Sequence, residues 1–180
     1  MKSFGLLTIL FSCVLLASAC NKEKEPDTNN NNNNNNNNTT APTENRLTAE
    51  VDGVSWTADT STISCILVLA GGYYSVTVEG NSPNGSSFTL SVNLWNNTIG
   101  TFQADPFTLT NFVGMTFVTT GSESFTAPNA TNASVHGTLK IEYWDQDKIS
   151  GTFSFVGGQD TSTDTMEITN GKFSCTSVIK

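Results

Sequence analysis

The sequence predicts an all-β protein: a single antiparallel β-sandwich of roughly 9–10 short strands, preceded by a signal peptide and a disordered tether. Apolar and polar residues alternate with period two from residue 47 onward. Two-residue turn signals separate the alternating runs, and no helical periodicity follows Cys20. Because alternation does not distinguish two packed sheets from a closed one, a calycin-like β-barrel is the alternative.

The first predicted hairpin covers residues 47–58, where Asp52-Gly53 supplies a strong two-residue turn signal. This turn pairs Val51 with Val54 and Ala49 with Trp56. All four side chains then share one face with the ends of the hairpin, and the polar residues between them occupy the other. The pattern predicts a hairpin with one buried face.

The later strands show the same alternation of apolar and polar residues. Gly71-Gly72 predicts the second hairpin, and its apolar face is formed by Ile63, Cys65, Leu67, Leu69, Tyr74, Val76 and Val78. Continued alternation places Leu94 and Tyr143 inward, so that Trp95 and Trp144 fall on polar faces. Asn170-Gly171 predicts the turn of the last hairpin.

Residues 1–19 have the pattern of a bacterial lipoprotein signal peptide. Lys2 precedes an apolar run from Phe4 to Leu16, and small residues lead directly to Cys20. We expect cleavage before Cys20, acylation of its thiol by palmitate-like chains, and stable membrane anchoring. The apolar run, at roughly 13 residues, is too short to span a bilayer.

Residues 20–45 are predicted to form a disordered tether behind the lipidated cysteine. The stretch contains Lys22-Glu23-Lys24-Glu25, an unbroken Asn run at 29–38 and Pro42, with too little apolar surface to bury. As a flexible coil of about 25 residues it reaches roughly 25–30 Å. The folded domain is expected at 46–180.

The folded domain is acidic, with 12 Asp and Glu against 5 Lys and Arg from Arg46 onward, a net charge of −7. This balance argues against nucleic acid as a partner and against electrostatic docking on anionic lipid. The abundance of Thr, Ser, Asn and Gly is typical of an extracytoplasmic β domain.

Four motifs occur in order along the domain: Val51–Ala58, Thr98–Phe102, Ile149–Phe155 and Ile168–Ser174. Together they are similar to a family of uncharacterised Bacteroidota lipoproteins, classed only as a domain of unknown function. Lys22-Glu23 after Cys20 also resembles the surface-export signal of such lipoproteins. The resemblance implies an all-β fold and an outer-membrane location facing outward, with a periplasm-facing orientation as the alternative. It implies no activity and no catalytic residues.

Two cysteines, Cys65 and Cys175, lie in the domain on predicted inward faces. In an oxidising compartment they form either a disulfide closing a loop of about 110 residues or two buried free thiols. Two cysteines and one histidine, widely spaced, match no zinc pattern. We therefore expect no metal site and no cofactor.

No catalytic signature was found, and we do not expect an enzyme. A hydrolase would need His136, the only histidine, and the turn residues Asp145 and Asp147 to converge in one cleft. No Gly-x-Ser-x-Gly elbow is present. A solvated histidine and turn-forming aspartates explain these residues better.

The remaining candidates are aromatic residues and a modification site. Trp95 and Trp144 would stack on sugars if exposed beside a groove, whereas the favoured alternative is that they pack into the core. Asp164-Thr165-Met166 resembles the O-glycosylation acceptor of Bacteroidota, which marks Thr165.

The functional hypothesis is a surface-tethered binding or interaction module for a glycan, a peptide or a partner lipoprotein. The alternatives are a structural envelope-accessory lipoprotein without a small ligand and, remotely, the hydrolase.

Overall fold

The computed structural model describes residues 40–107, 110–129, 131–132, 134–176 and 178–180. The predicted signal peptide, Cys20 and the Asn run lie outside the described residues. The described elements are β1 (Arg46–Val51), β2 (Val54–Thr57), a 3₁₀ turn (Thr60–Thr62), β3 (Ser64–Ala70), β4 (Tyr73–Asn81), β5 (Ser87–Trp95), β6 (Gly100–Gln103), β7 (Phe112–Val118), β8 (Ser124–Ala127), β9 (His136–Trp144), β10 (Ile149–Gly158) and β11 (Thr165–Cys175). Within these residues, no helix is long and apolar enough to cross a membrane.

The eleven strands form one antiparallel sheet in the order β2-β1-β11-β10-β8-β7-β5-β4-β3, and β9 with β6 joins β10 as a branch. Strand β10 pairs with β9 over Ile149–Val156. Its last residue, Gly158, then pairs with Thr126 of β8. Because β10 pairs with β9 along most of its length and with β8 at its end, the sheet curls over itself into a half-barrel. The all-β prediction is confirmed, with facing layers as in a sandwich and the continuous hydrogen bonding of a barrel.

Two of the three predicted glycine hairpins are confirmed by the strand register. Val51 pairs with Val54 and Ala49 with Trp56, as Asp52-Gly53 predicted. Ala70 pairs with Tyr73 around Gly71-Gly72. Both central residues of each turn have positive φ, which is the conformation that glycine adopts without strain.

The core lies between two facing layers, β6-β9-β10-β11-β1-β2 and β8-β7-β5-β4-β3. Phe88 of β5 is at its centre, with ring centroids 4.6 Å from Trp56 and 5.5 Å from Phe153 of the opposite layer. The void between Val76, Leu139 and their neighbours measures about 10 Å³, which is at the lower limit for one water. The interior is therefore filled with side chains.

A disulfide and the C-terminal residues join β3 to the opposite layer. Cys65 of β3 and Cys175 of β11 form a disulfide with a Cα–Cα distance of 6.3 Å. The Ile179 N–H donates to the Cys65 carbonyl at 2.8 Å, and the Leu67 N–H donates to the Ile179 carbonyl at 2.7 Å. These contacts cover part of the β3 edge, which would otherwise present unpaired backbone groups.

Two β-bulges reverse the predicted faces of the tryptophans. On β5, Asn93 and Leu94 together oppose one residue of β4, so Leu94 is 46% exposed and Trp95 is fully buried. On β9, Glu142 is the extra residue between the pairs Ser150–Tyr143 and Gly151–Ile141. One inserted residue moves every following side chain to the other face. The predicted inward positions of Leu94 and Tyr143 are therefore wrong.

The predicted hairpin at Asn170-Gly171 is also wrong. Thr165–Cys175 is one continuous strand, and the pairing with β10 steps from Phe153–Gly171 to Phe155–Ile168. Asn170 has a φ of 53° and lies at a bulge in this strand. Asn-Gly suits a bulge for the same reason that it suits a turn, namely its tolerance of positive φ.

Candidate functional site

The outer face of the β6-β9-β10-β11 layer carries a shallow polar groove. Two depressions of about 480 Å³ each adjoin there and share Thr152 and Lys172. A third, of about 120 Å³, continues past Thr138 and Ser154 toward His136. We call these together the polar groove. Its lining from the four strands includes Thr101, Thr138, Lys140, Glu142, Ser150, Thr152, Ser154, Thr169, Asn170, Lys172 and Ser174.

A single cross-strand row runs through the centre of the groove. Thr152 of β10 lies opposite Lys140 of β9 on one side and opposite Lys172 of β11 on the other. The row continues to Thr101 of β6 and to Thr48 of β1. Since adjacent strands are about 4.8 Å apart, the two lysine Cα atoms are about 10 Å apart with a hydroxyl between them. This set is the Thr–Lys row.

Two glycines on the inward side allow the sheet to pack closely beneath this row. Gly171 lies opposite Phe153, and Gly151 lies opposite Phe173. A Cβ on Gly171 would approach the Phe153 ring to 2.7 Å, and one on Gly151 would approach the Phe173 ring to 2.8 Å. Each aromatic ring therefore covers the neighbouring glycine from inside, and the polar side chains remain outside.

The two lysines of the row have different surroundings. Lys140 Nζ forms an ion pair with Glu142 Oε1 at 2.8 Å. Among the described residues, Lys172 has no ion-pair partner. Glu50 of β1 accepts a hydrogen bond from Asn170 Nδ2 at 2.9 Å, and Glu44 lines the same depression as Lys172. Lys172 is thus an exposed cation at the centre of a groove in an acidic domain.

The structure places Trp95 in the core and Trp144 against the edge of the core, both away from the groove. Trp95 donates its indole N–H to the Thr98 carbonyl at 3.0 Å. Trp144 is half-buried and its ring lies 5.1 Å from that of Trp95, edge to face. Its buried Nε1 has no partner among the described residues. Neither ring lines the groove, so their geometry supports the core alternative.

The candidate catalytic residues do not converge. His136 is the first residue of β9 and Asp145 follows its last residue, so the two are about 30 Å apart along the chain direction. His136 is exposed, and its ring Nδ1 lies 2.8 Å from the Ser134 carbonyl oxygen. Within the described part of the chain, no three potential metal ligands cluster.

The β9–β10 turn accounts for both aspartates. The Tyr143 hydroxyl donates to Asp145 Oδ2 at 2.7 Å, and the Lys148 N–H donates to Oδ1 at 2.7 Å. The Tyr143 hydrogen bond, followed by the backbone donors, lowers the pKa of Asp145. Asp147 Oδ1 forms an ion pair with Lys180 Nζ at 2.9 Å. These contacts stabilise a turn.

Thr165 is exposed as the first residue of β11, opposite Gly158. Its hydroxyl is therefore accessible at the surface.

A family model matches residues 43–176, and its description is a domain of unknown function, DUF6252. The chain belongs to this family. No curated protein and no solved structure matches the chain significantly.

The Thr–Lys row is not visible in the sequence as a site. Alternation alone places Thr138, Lys140 and Thr152 on the face opposite the buried Leu139 and Phe153. The order of strands across the sheet, which brings Lys140 and Lys172 to either side of Thr152, is a long-range property that alternation does not contain.

Proposed function

We propose that this chain is a lipid-anchored surface protein of the outer membrane, and that its DUF6252 domain is a binding module with the polar groove as its site. The proposal has two parts, anchoring and binding. Anchoring is supported by the signal-peptide pattern that ends at Cys20. Binding is supported by the groove.

One observation carries the binding role: two shallow depressions adjoin on one polar face. The two depressions of about 480 Å³ each are of the size that ligand sites usually have. The interior, with a void of about 10 Å³, has no room for a ligand. The space is on the outer face rather than in the interior, so it suits an elongated ligand that lies across the strands.

The tether meets the domain beside the groove. Ser174 Oγ donates to the Glu44 carbonyl at 2.7 Å, and the Thr176 N–H donates to Asn45 Oδ1 at 2.9 Å. Residues 40–44 line one end of the groove. The chain is thus fixed to β11 where it enters the domain, beside one end of the groove.

Metabolic labelling with an alkyne-bearing palmitate tests the anchor. We expect the label on the unmodified chain and on a Cys13→Ser control, and its loss in Cys20→Ser. Proteolysis of intact cells then tests the outward orientation, because a surface domain is cleaved without permeabilisation. Label on Cys20→Ser would contradict the anchor at Cys20. Protection of the domain in intact cells would contradict the outward orientation.

Thermal unfolding of the full chain, screened against glycans and peptides, tests the binding role. A ligand at 100 times its Kd raises the free energy of unfolding by about 2.7 kcal/mol. Thr152→Trp fills the groove from an outward position and should abolish the stabilisation. Thr77→Trp, outward on β4 of the other layer, is the matched control and should retain it. If a ligand still stabilised Thr152→Trp, the site would lie elsewhere. If no ligand in the screen raised the Tm, a structural envelope role without a small ligand would be favoured.

A further inference from the structure

We propose that the polar groove binds an acidic polysaccharide, a sugar chain bearing carboxylates, with an acid group seated over Thr152 between Lys140 and Lys172. This inference rests on the proposed binding role of the groove and names its ligand class. The observation behind it is the Thr–Lys row, where two ammonium groups flank a hydroxyl.

The basic residues of the domain are concentrated on this face. Three of the five, Arg46, Lys140 and Lys172, line the groove of a domain whose net charge is −7. Three acidic residues also line it: Glu142 pairs with Lys140, Glu44 lies at the Arg46 end, and Glu167 lies at the His136 end. The lining is therefore balanced in charge, whereas the rest of the domain is strongly acidic, and an anion seated at the row lies between two ammonium groups.

Lys172 supplies the strongest contact in this arrangement. It has no ion-pair partner among the described residues, so a bound carboxylate displaces water but no protein carboxylate. A charge-assisted hydrogen bond is stronger than a neutral one. Lys140 contributes a second donor while remaining positioned by Glu142.

A sugar chain fits the groove better than a peptide does. The groove lies on the face of the sheet, where backbone groups are already paired in the ladders, so a peptide cannot add to it as a strand. The groove instead presents hydroxyls and ammonium groups, which match the hydroxyls and carboxylates of a uronate chain.

Charge, rather than stacking, has to supply the affinity. Phe153 and Phe173 line the groove but are only 4% and 3% exposed, so they present no ring face to a sugar. A neutral sugar chain would have hydroxyl contacts alone, which exchange with water at little net gain. The carboxylate therefore selects acidic chains over neutral ones.

Calorimetric titration of the full chain in detergent with polygalacturonate tests the proposal. We expect saturable binding that weakens as salt is raised, with dextran and poly-glutamate binding at least tenfold more weakly. Lys172→Ala should weaken binding about tenfold, the loss of one charge-assisted hydrogen bond. Lys148→Ala removes the same charge at the β9–β10 turn and should change the affinity less than about twofold.

The outcomes separate the ligand class from the binding role. Equal losses in Lys148→Ala and Lys172→Ala would overturn the site, because they would indicate general attraction. Poly-glutamate binding as tightly as polygalacturonate would overturn the sugar class. Absence of saturable polygalacturonate binding would overturn the ligand class, whereas stabilisation by another ligand that Thr152→Trp abolishes would leave the binding role intact. Circular dichroism of each variant verifies that it is folded.

Discussion

Removal of the Cys65–Cys175 disulfide is predicted to lower the stability of the domain strongly. The bridge joins residues 110 positions apart, and it links β3 to β11 across the two facing layers. In the chain-entropy account, a closed loop of this length stabilises the folded state by about 5 kcal/mol at 25 °C. For a domain of this size, that corresponds to a fall in Tm of roughly 15 °C.

The assay is thermal unfolding of the full chain, oxidised and reduced, beside the double variant Cys65→Ala/Cys175→Ala. Both side chains are buried, at 2% and 1% exposure, and alanine leaves no unsatisfied polar group in their place. We expect the reduced protein and the double variant to unfold at similar temperatures, both well below the oxidised protein. Thiol trapping followed by mass spectrometry confirms the redox state before each scan.

One result would refute this reasoning. If the oxidised protein, the reduced protein and the double variant unfolded within about 2 °C of one another, the cross-link would not constrain the unfolded chain as the entropy account requires.

Three further predictions concern the core and the β9–β10 turn. Trp95→Ala should destabilise the domain by about 3–5 kcal/mol in chemical denaturation without weakening ligand binding; a selective loss of binding would restore its role as a stacking residue. Gly151→Ala should cost about 2–3 kcal/mol, because its Cβ would overlap a backbone carbonyl of β9. Gly121→Ala should stay within about 0.5 kcal/mol, because its Cβ would meet only Thr119 Oγ1, at an ordinary contact distance of 3.6 Å. The Asp145 carboxyl should titrate below its ordinary pKa of 3.8 by NMR, and Tyr143→Phe should raise that pKa toward 3.8. Because the pKa of Asp145 is lower in the folded state, its ionised carboxylate stabilises the fold above pH 3.8, and this stabilisation is lost as the pH falls through the folded-state pKa. An unchanged Asp145 pKa in Tyr143→Phe would contradict the hydrogen bond from Tyr143 as the cause.

The hairpins were predictable because their cause is local. Asp52-Gly53 and Gly71-Gly72 adopt positive φ at both central positions, and a two-residue turn of this kind sets the register of the strands on either side. The pairing of Ala49 with Trp56 follows from the turn alone.

The faces of Trp95 and Trp144 were not predictable because a bulge has no distinctive residue type in these strands. The extra residues, Asn93 with Leu94 and then Glu142, also fit regular alternation. Only pairing with the neighbouring strand shows which residue is unpaired. The two bulges turn both indole rings inward, where they meet at 5.1 Å.

The groove was only half predictable. Alternation assigns hydroxyls and lysines to the outer face, because polar side chains oppose apolar ones at period two. The Thr–Lys row depends on β10 lying between β9 and β11, which places Lys140 and Lys172 on either side of Thr152. The two lysines are far apart in the sequence, so no local pattern predicts that they are neighbours.

Lysine footprinting by mass spectrometry tests the central claim most directly, that the outer polar groove is the binding site. The full chain would be acylated briefly with and without saturating polygalacturonate, and each lysine of the domain would report its own accessibility. The account predicts protection of Lys140 and Lys172, with Lys148 and Lys180 labelled as in the free protein. Protection confined to Lys148 and Lys180, or spread evenly over all four, would contradict it.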